Sequence, residues 1–169
     1  MFEIGSYMVY GTNGVCRVTD ICVSPFDKHD SRRYYVLKPV SGPSEAVIYT
    51  PVDNDRVPMR ALLSREETEA LLGRLPSIPK LLVEVEKMRR EIYRAVMNAA
   101  DPDSYIALIK TVKERRSEFA GTTRRLPDFE SEYDSTARRH LFTELSVVLG
   151  IPMEKIEEHI RKKADVAAV

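Results

Sequence analysis

At 169 residues, 43% hydrophobic and 31% charged, the chain has room for one medium domain or two small ones and too many apolar side chains for wholesale disorder. Lys+Arg and Asp+Glu each number 26, so no net charge draws the whole molecule to nucleic acid. No apolar run approaches bilayer-spanning length and no secretory signal precedes the two cysteines, which predicts a cytoplasmic chain without a membrane partner.

From Tyr7 to about Arg60 the apolar runs have strand length. Tyr7–Tyr10 ends at Gly11-Thr12-Asn13-Gly14, a tight turn whose glycines and Asn tolerate positive φ. Val15–Val23 follows, with Cys16 and Cys22 on one face if that strand is unbroken. A polar loop over 24–31 leads into Arg33–Val40, which Ser41-Gly42-Pro43-Ser44 breaks. Ala46–Thr50 stops at Pro51, and Val57–Ala61, its Pro58 suggesting an edge, is the last short strand. Five short strands in about sixty residues suit a strongly bent barrel.

Beyond Ala61 the period becomes helical. Ser64-Arg65-Glu66-Glu67 is a capping box opening a short helix that Gly73 closes. A linker, Leu75-Pro76-Ser77-Ile78-Pro79, leads to a helix predicted from Lys80 to about Ala99, whose apolar stripe is Leu82, Val85, Met88, Ile92, Val96 and Ala99. Asp101-Pro102 caps a third helix with Tyr105, Leu108, Ile109 and Val112 inward, ending near Phe119. After a loop at 121–126, Pro127 begins a long helix that Gly150 closes, and Pro152 starts the last one. The predicted class is α+β: a small five-stranded Tudor/SH3-like barrel over residues 1–62, then an all-helical domain of about five helices over 63–169.

Catalysis finds no support in this pattern, and no cofactor is expected. Gly11–Gly14 lacks a phosphate-loop lysine and a following helix, and Cys16 and Cys22 form neither a CxxC pair nor a Cys/His cluster. The three histidines are dispersed, and His140, beside a core stripe, reads as surface or half-buried rather than as a ligand. Acidic pairs such as Glu66-Glu67 sit near helix starts, where the helix dipole accounts for them.

Interaction is better supported. The strand Ala46–Thr50 and the nearby Ser24 loop are candidates for an open edge that accepts a partner strand, through Ser24, Val47, Ile48, Tyr49 and Thr50; an ordinary core strand fits Val47 and Ile48 equally. Exposed Tyr34, Tyr35 or Tyr49 could alternatively stack on RNA bases, although neighbours 34 and 35 point to opposite faces. Residues 80–125 hold eleven bases against seven acids, including the pairs Arg89-Arg90, Arg115-Arg116 and Arg124-Arg125. Guanidinium groups bind phosphate bidentately, and the loop pair Arg124-Arg125 can conform to a backbone; helical pairs more often form salt bridges or face solvent.

The order of these pieces, densest over Gly5–Gly14 and over Tyr35–Arg60 with its Pro51-Val52-Asp53-Asn54 segment, resembles the CarD/CdnL family of bacterial transcription regulators. The amino-terminal module of that family is shared with the transcription–repair coupling factor. Ile78-Pro79-Lys80, Asp101, the Arg-Leu-Pro-Asp run at 125–128 and the 150–160 ending follow the helical half of the family more loosely. The resemblance implies a Tudor-like domain that docks on the RNA polymerase β subunit by strand pairing, and a helical domain that contacts promoter DNA at the edge of the transcription bubble. Lys80, Leu82, Arg89, Arg90, Arg124 and Arg125 are the DNA-contact candidates on this view. Family members commonly carry a minor-groove tryptophan wedge shortly after the Pro-Lys pair; this chain has no tryptophan, and Leu82 takes the matching position. Leu82 is then either an apolar wedge or, as its spacing with Val85, Met88 and Ile92 favours, part of the buried stripe. Tyr49 stands where some members carry a polymerase-contacting arginine. The alternative function is a protein-only polymerase adaptor whose helical half never touches DNA.

Overall fold

The computed structural model describes residues 1–27, 29–43 and 45–167, the last four of these by backbone only, and divides into two compact units, Met1–Leu62 and Leu63–Val169. Ser44, read as part of a turn, and Lys28, in the polar loop, lie outside the described residues.

The first unit is one antiparallel sheet of β1 (Tyr7–Tyr10), β2 (Val15–Val23), β3 (Arg33–Pro39), β4 (Ile48–Pro51) and β5 (Met59–Ala61), ordered β4-β3-β2-β1-β5. One 3-10 turn, Gly11–Asn13, joins β1 to β2. Gly11 is required there: its φ is +45°, and an added Cβ would stand 2.6 Å from Val57 Cγ1. The inner face buries Met8, Tyr10, Cys16, Val18, Tyr35 and Leu37. Burial pushes the Cys16 thiol up to about 11, which keeps it protonated and inert. The two cysteines do not share a face. The β2–β3 register slips between Val18 and Asp20, so Thr19 is an extra residue whose hydroxyl donates to the Val36 carbonyl at 3.0 Å. Beyond this bulge Cys22 pairs with Tyr34, on the side opposite the core, and the strand bends. The predicted strands Ala46–Thr50 and Val57–Ala61 are shorter than read: pairing begins only at Ile48 and at Met59.

The second unit contains α1 (Arg65–Gly73), α2 (Arg89–Ala99), α3 (Pro102–Phe119), α4 (Asp128–Leu149) and α5 (Met153–Ala167). Local signals set most of the boundaries. Ser64 and Glu67 exchange both capping-box bonds, Asp101 accepts from Ser104 N–H before Pro102, and left-handed Gly150 ends α4. Leu71, Tyr93, Tyr105, Leu108, Leu141, Leu145 and Ile156 are central to the core. Together with the five strands, these five helices give the expected α+β architecture.

One expected helix is wrong over its first half. Residues 80–85 are irregular, Glu86–Met88 is a 3-10 turn, and α2 starts only at Arg89. The stripe Leu82, Val85, Met88 is exposed, and the buried face of α2 is Tyr93, Val96 and Met97. His140 also differs from expectation. It is buried, 3.4 Å from the Tyr105 hydroxyl, and desolvation pulls its pKa down from 6.5 to about 4.

That depression makes the helical unit sensitive to acid. The unfolded state binds a proton near pH 6.5 and the folded state only near 4, so the contribution of His140 is complete above pH 6.5 and is lost as pH falls between those values. Urea unfolding at pH 7.5 and pH 5 is expected to show a loss of about 2 kcal/mol from this group. The loss should shrink in His140→Gln; an identical pH dependence in the variant would exclude this origin.

Candidate functional site

Two surfaces, one in each unit, gather the predicted residues. The first is the β4 edge. β4 pairs only with β3, and Val52 N–H donates to Arg33 C=O at 2.9 Å, which fixes the alternation of the ladder. Thr50 opposite Tyr35 and Ile48 opposite Leu37 then direct their main-chain groups to β3. The main-chain N–H and C=O of Tyr49 point the other way, off the sheet. Pro51, which has no N–H, falls on that same outward parity, where a proline is tolerated.

Side chains alternate as well. Ile48 packs on the core and Thr50 is buried with its hydroxyl unpartnered, so Thr50 has no side chain to offer a partner. Tyr49 faces outward, and Val47, just before the strand, is exposed. Ser24 is a loop staple: its N–H donates to Arg32 C=O, and its hydroxyl accepts from the N–H groups of Phe26 and Asp27. Sequence reasoning missed Phe26. It is 72% exposed, and its ring meets Tyr49 edge-on at 5.5 Å and Tyr34 at 6.1 Å. The available signal was an apolar residue stranded in a polar loop. Beside this ledge Arg32 grips Asp30 with two nitrogens and holds its carboxyl down at about 2. Tyr34 is covered and Tyr35 fully buried, so these two offer no free stacking faces.

The second surface is the irregular segment before α2. Ile78 is buried, Lys110 Nζ donates to the carbonyls of Leu75 and Ile78, and Leu81 N–H donates to Thr111 Oγ1 at 2.9 Å. These bonds satisfy main-chain groups of the irregular segment and tie it to α3. The far end is tied as firmly. Glu86 bridges Arg89 at 2.8 Å and Arg115 at 3.1 Å; Arg115 Nε donates to Glu130 at 2.9 Å, and the Tyr93 hydroxyl donates to Glu130 at 3.0 Å. Glu130 is 0% exposed. Between these anchors Leu82 projects, 78% exposed, with Val85 and Met88 also open.

The cationic candidates separate accordingly. Arg89, one of the DNA-contact candidates, is 7% exposed and its guanidinium is engaged by Glu86 and Tyr93. Arg115 and Arg116 are likewise engaged, by Glu130 and by Asp134. Lys80 is exposed but paired with Glu114. Arg90 lies over the Phe129 ring at 4.6 Å and remains exposed. Arg124 and Arg125 are both exposed in the loop after α3, Arg124 against the Phe119 ring.

Residues 2–63 match the family model of the CarD-like/TRCF RID domain. The amino-terminal unit is a CarD-like RID domain. Domains of this kind are Tudor-like, non-enzymatic interaction modules, and the match supports a transcription-related protein that interacts with RNA polymerase. The open five-stranded sheet is that module. The helical residues lie beyond the match, and no curated protein matches the chain. Among the described residues no helix is long and apolar enough to cross a membrane.

The network that positions the Leu82 segment yields a stability test. Arg115→Met leaves Glu130 buried without its cation and is expected to cost about 3–5 kcal/mol in urea unfolding. Adding Glu130→Leu removes the stranded charge and should recover much of that loss. A double variant as unstable as the single one would show that the pair acts otherwise.

Proposed function

We propose that this protein is a transcription regulator that docks on the β subunit of RNA polymerase through its RID domain and contacts promoter DNA through its helical unit. The observation that carries the docking is the outward-directed main chain of Tyr49 on an open, four-residue edge. A partner strand laid along β4 would bond to that N–H and C=O, while Tyr49 and Phe26 present an aromatic ledge to its side chains. Where some family members carry an arginine, this ledge favours a partner with apolar or cationic side chains.

The edge is testable by main chain and side chain separately. Tyr49→Pro removes an N–H that β3 does not use, so the sheet should persist by circular dichroism. Binding to purified β subunit should weaken roughly five- to tenfold, the value of about one net hydrogen bond. Tyr49→Ala keeps the N–H and should retain more affinity than the proline variant; equal losses would assign docking to the ring, and no loss in either would remove β4 from the interface.

On the helical unit, Leu82 is the apolar prong and Arg90, Arg124 and Arg125 the phosphate-facing cations of this reading. Exposure of Leu82 supports the wedge role over the core role. Leu82→Ala should leave the melting temperature unchanged while reducing protection of a pre-melted promoter fork. Arg124→Ala with Arg125→Ala should weaken fork binding regardless of sequence and flatten the salt dependence by up to about two phosphate contacts. The ion pairs that occupy Arg89, Arg115 and Arg116 favour the second reading, a protein-only adaptor. Absence of salt-dependent fork binding in the unmodified protein would decide for that adaptor.

A further inference from the structure

The helical unit contains a cleft that shares Lys110 with the anchor of the Leu82 segment but includes none of the proposed contact residues. It encloses about 540 Å³ where α1, α3, α4 and α5 meet, a size typical of small-molecule sites. Leu72, Leu75 and Ile106 are buried along its walls, and Ile109, Phe142 and Ile160 are half-buried beside them. The rim is predominantly cationic. Lys110, Lys113, Arg116, Arg138 and Arg161 surround the opening, with Glu157 as the acid among them.

Nearby carboxylates do not balance this charge. Asp134 serves both Arg116, at 3.3 Å, and Arg138, at 3.0 Å, so two guanidiniums share one anion. Glu157 stands 3.8 Å from Arg161. Lys110 spends its protons on neutral carbonyls, and burial lowers its pKa. The exposed ammonium of Lys113 has no side-chain partner among the described residues. An apolar hollow with uncompensated cations at its mouth is complementary to a molecule with a greasy body and an anionic head.

We propose that this cleft binds a long-chain carboxylate, its tail against Ile106, Ile109 and Phe142 and its head on Lys113, in the positive field of Lys110. The buried apolar walls select a hydrocarbon tail, and the cations at the mouth that share too few carboxylates select an anionic head. A carboxylate beside Lys110 also supplies the counter-charge that its half-buried ammonium lacks.

The test is calorimetric titration of the full chain with octanoate, decanoate and dodecanoate, each below its micelle concentration. Affinity should rise with length, by up to about fourfold per methylene. Dodecylamine, with the same tail and opposite head, should bind at least about tenfold more weakly than dodecanoate. Lys113→Glu alters an exposed side chain, so the fold should survive, and dodecanoate binding should fall by about tenfold and lose its salt sensitivity. Ile109→Trp should block the tail while leaving the rim intact. Absence of dodecanoate binding, equal binding of amine and carboxylate, or indifference to Lys113→Glu would each overturn the site. So would an acidic amphipathic peptide that binds at this rim without competition from dodecanoate.

Discussion

The buried carboxylate of Glu130 constrains the functional end of the helical unit. A charge taken fully out of water costs several kcal/mol unless it is paired and hydrogen-bonded, and here Arg115 of α3 and Tyr93 of α2 both meet it. Arg115 also reaches Glu86, and Glu86 holds Arg89, so a charge on α4 fixes the turn at Glu86–Met88 and thereby the first residue of α2. Continuing α2 back to Lys80 would wind these residues into helix, moving Glu86 and breaking the chain of charges. The exposed Leu82 thus lies between a turn fixed by buried charge and an entry tied to α3.

This dependence explains what could be read in the sequence and what could not. Caps and turns are local chemistry, and Ser64/Glu67, Asp101-Pro102 and Gly150 marked real helix ends. The strand runs Tyr7–Tyr10 and Val15–Val23 were legible from Gly11–Gly14 between them. The misreadings came from partners distant in the chain. Leu82, Val85 and Met88 have helical spacing, but Thr111 and Arg115 hold that backbone elsewhere. Cys16 and Cys22 have strand spacing, but the bulge at Thr19 reverses the face between them. One signal was present and overlooked: Glu130, Asp134, Ala137, Leu141 and Glu144 advance by four and three along α4, and all are buried. Acids in register with an apolar stripe mark buried, partnered charge, and that register identifies the residues on which the prong depends.

The sheet solves a different problem. β4 and β5 are the outer strands of the sheet, each hydrogen-bonded to one neighbouring strand among the described residues, and strand edges in general invite aggregation. Shortness limits the hazard: β5 has three residues, β4 has four, and Pro51 removes one outward N–H from the latter. What remains outward on β4 is centred on Tyr49. On the reading proposed, the edge is open enough to recognise a strand and too short to template a long one.

The two units expose different chemistry, and each exposes little of it. The RID domain offers the main-chain groups around one outward residue and an aromatic ledge; the helical unit offers one projecting leucine and a few exposed arginines. On the reading proposed, neither set supports tight binding alone, since a net hydrogen bond is worth about 1 kcal/mol and an exposed charge contact less. The boundary between the units falls at Leu62 and Leu63 on one continuous chain. Engagement of polymerase by one unit then holds the other at high local concentration near promoter DNA, so two weak contacts combine where both partners are present. Tighter contacts in either unit would relax that requirement, and weakness in each is what makes occupancy depend on polymerase and promoter together.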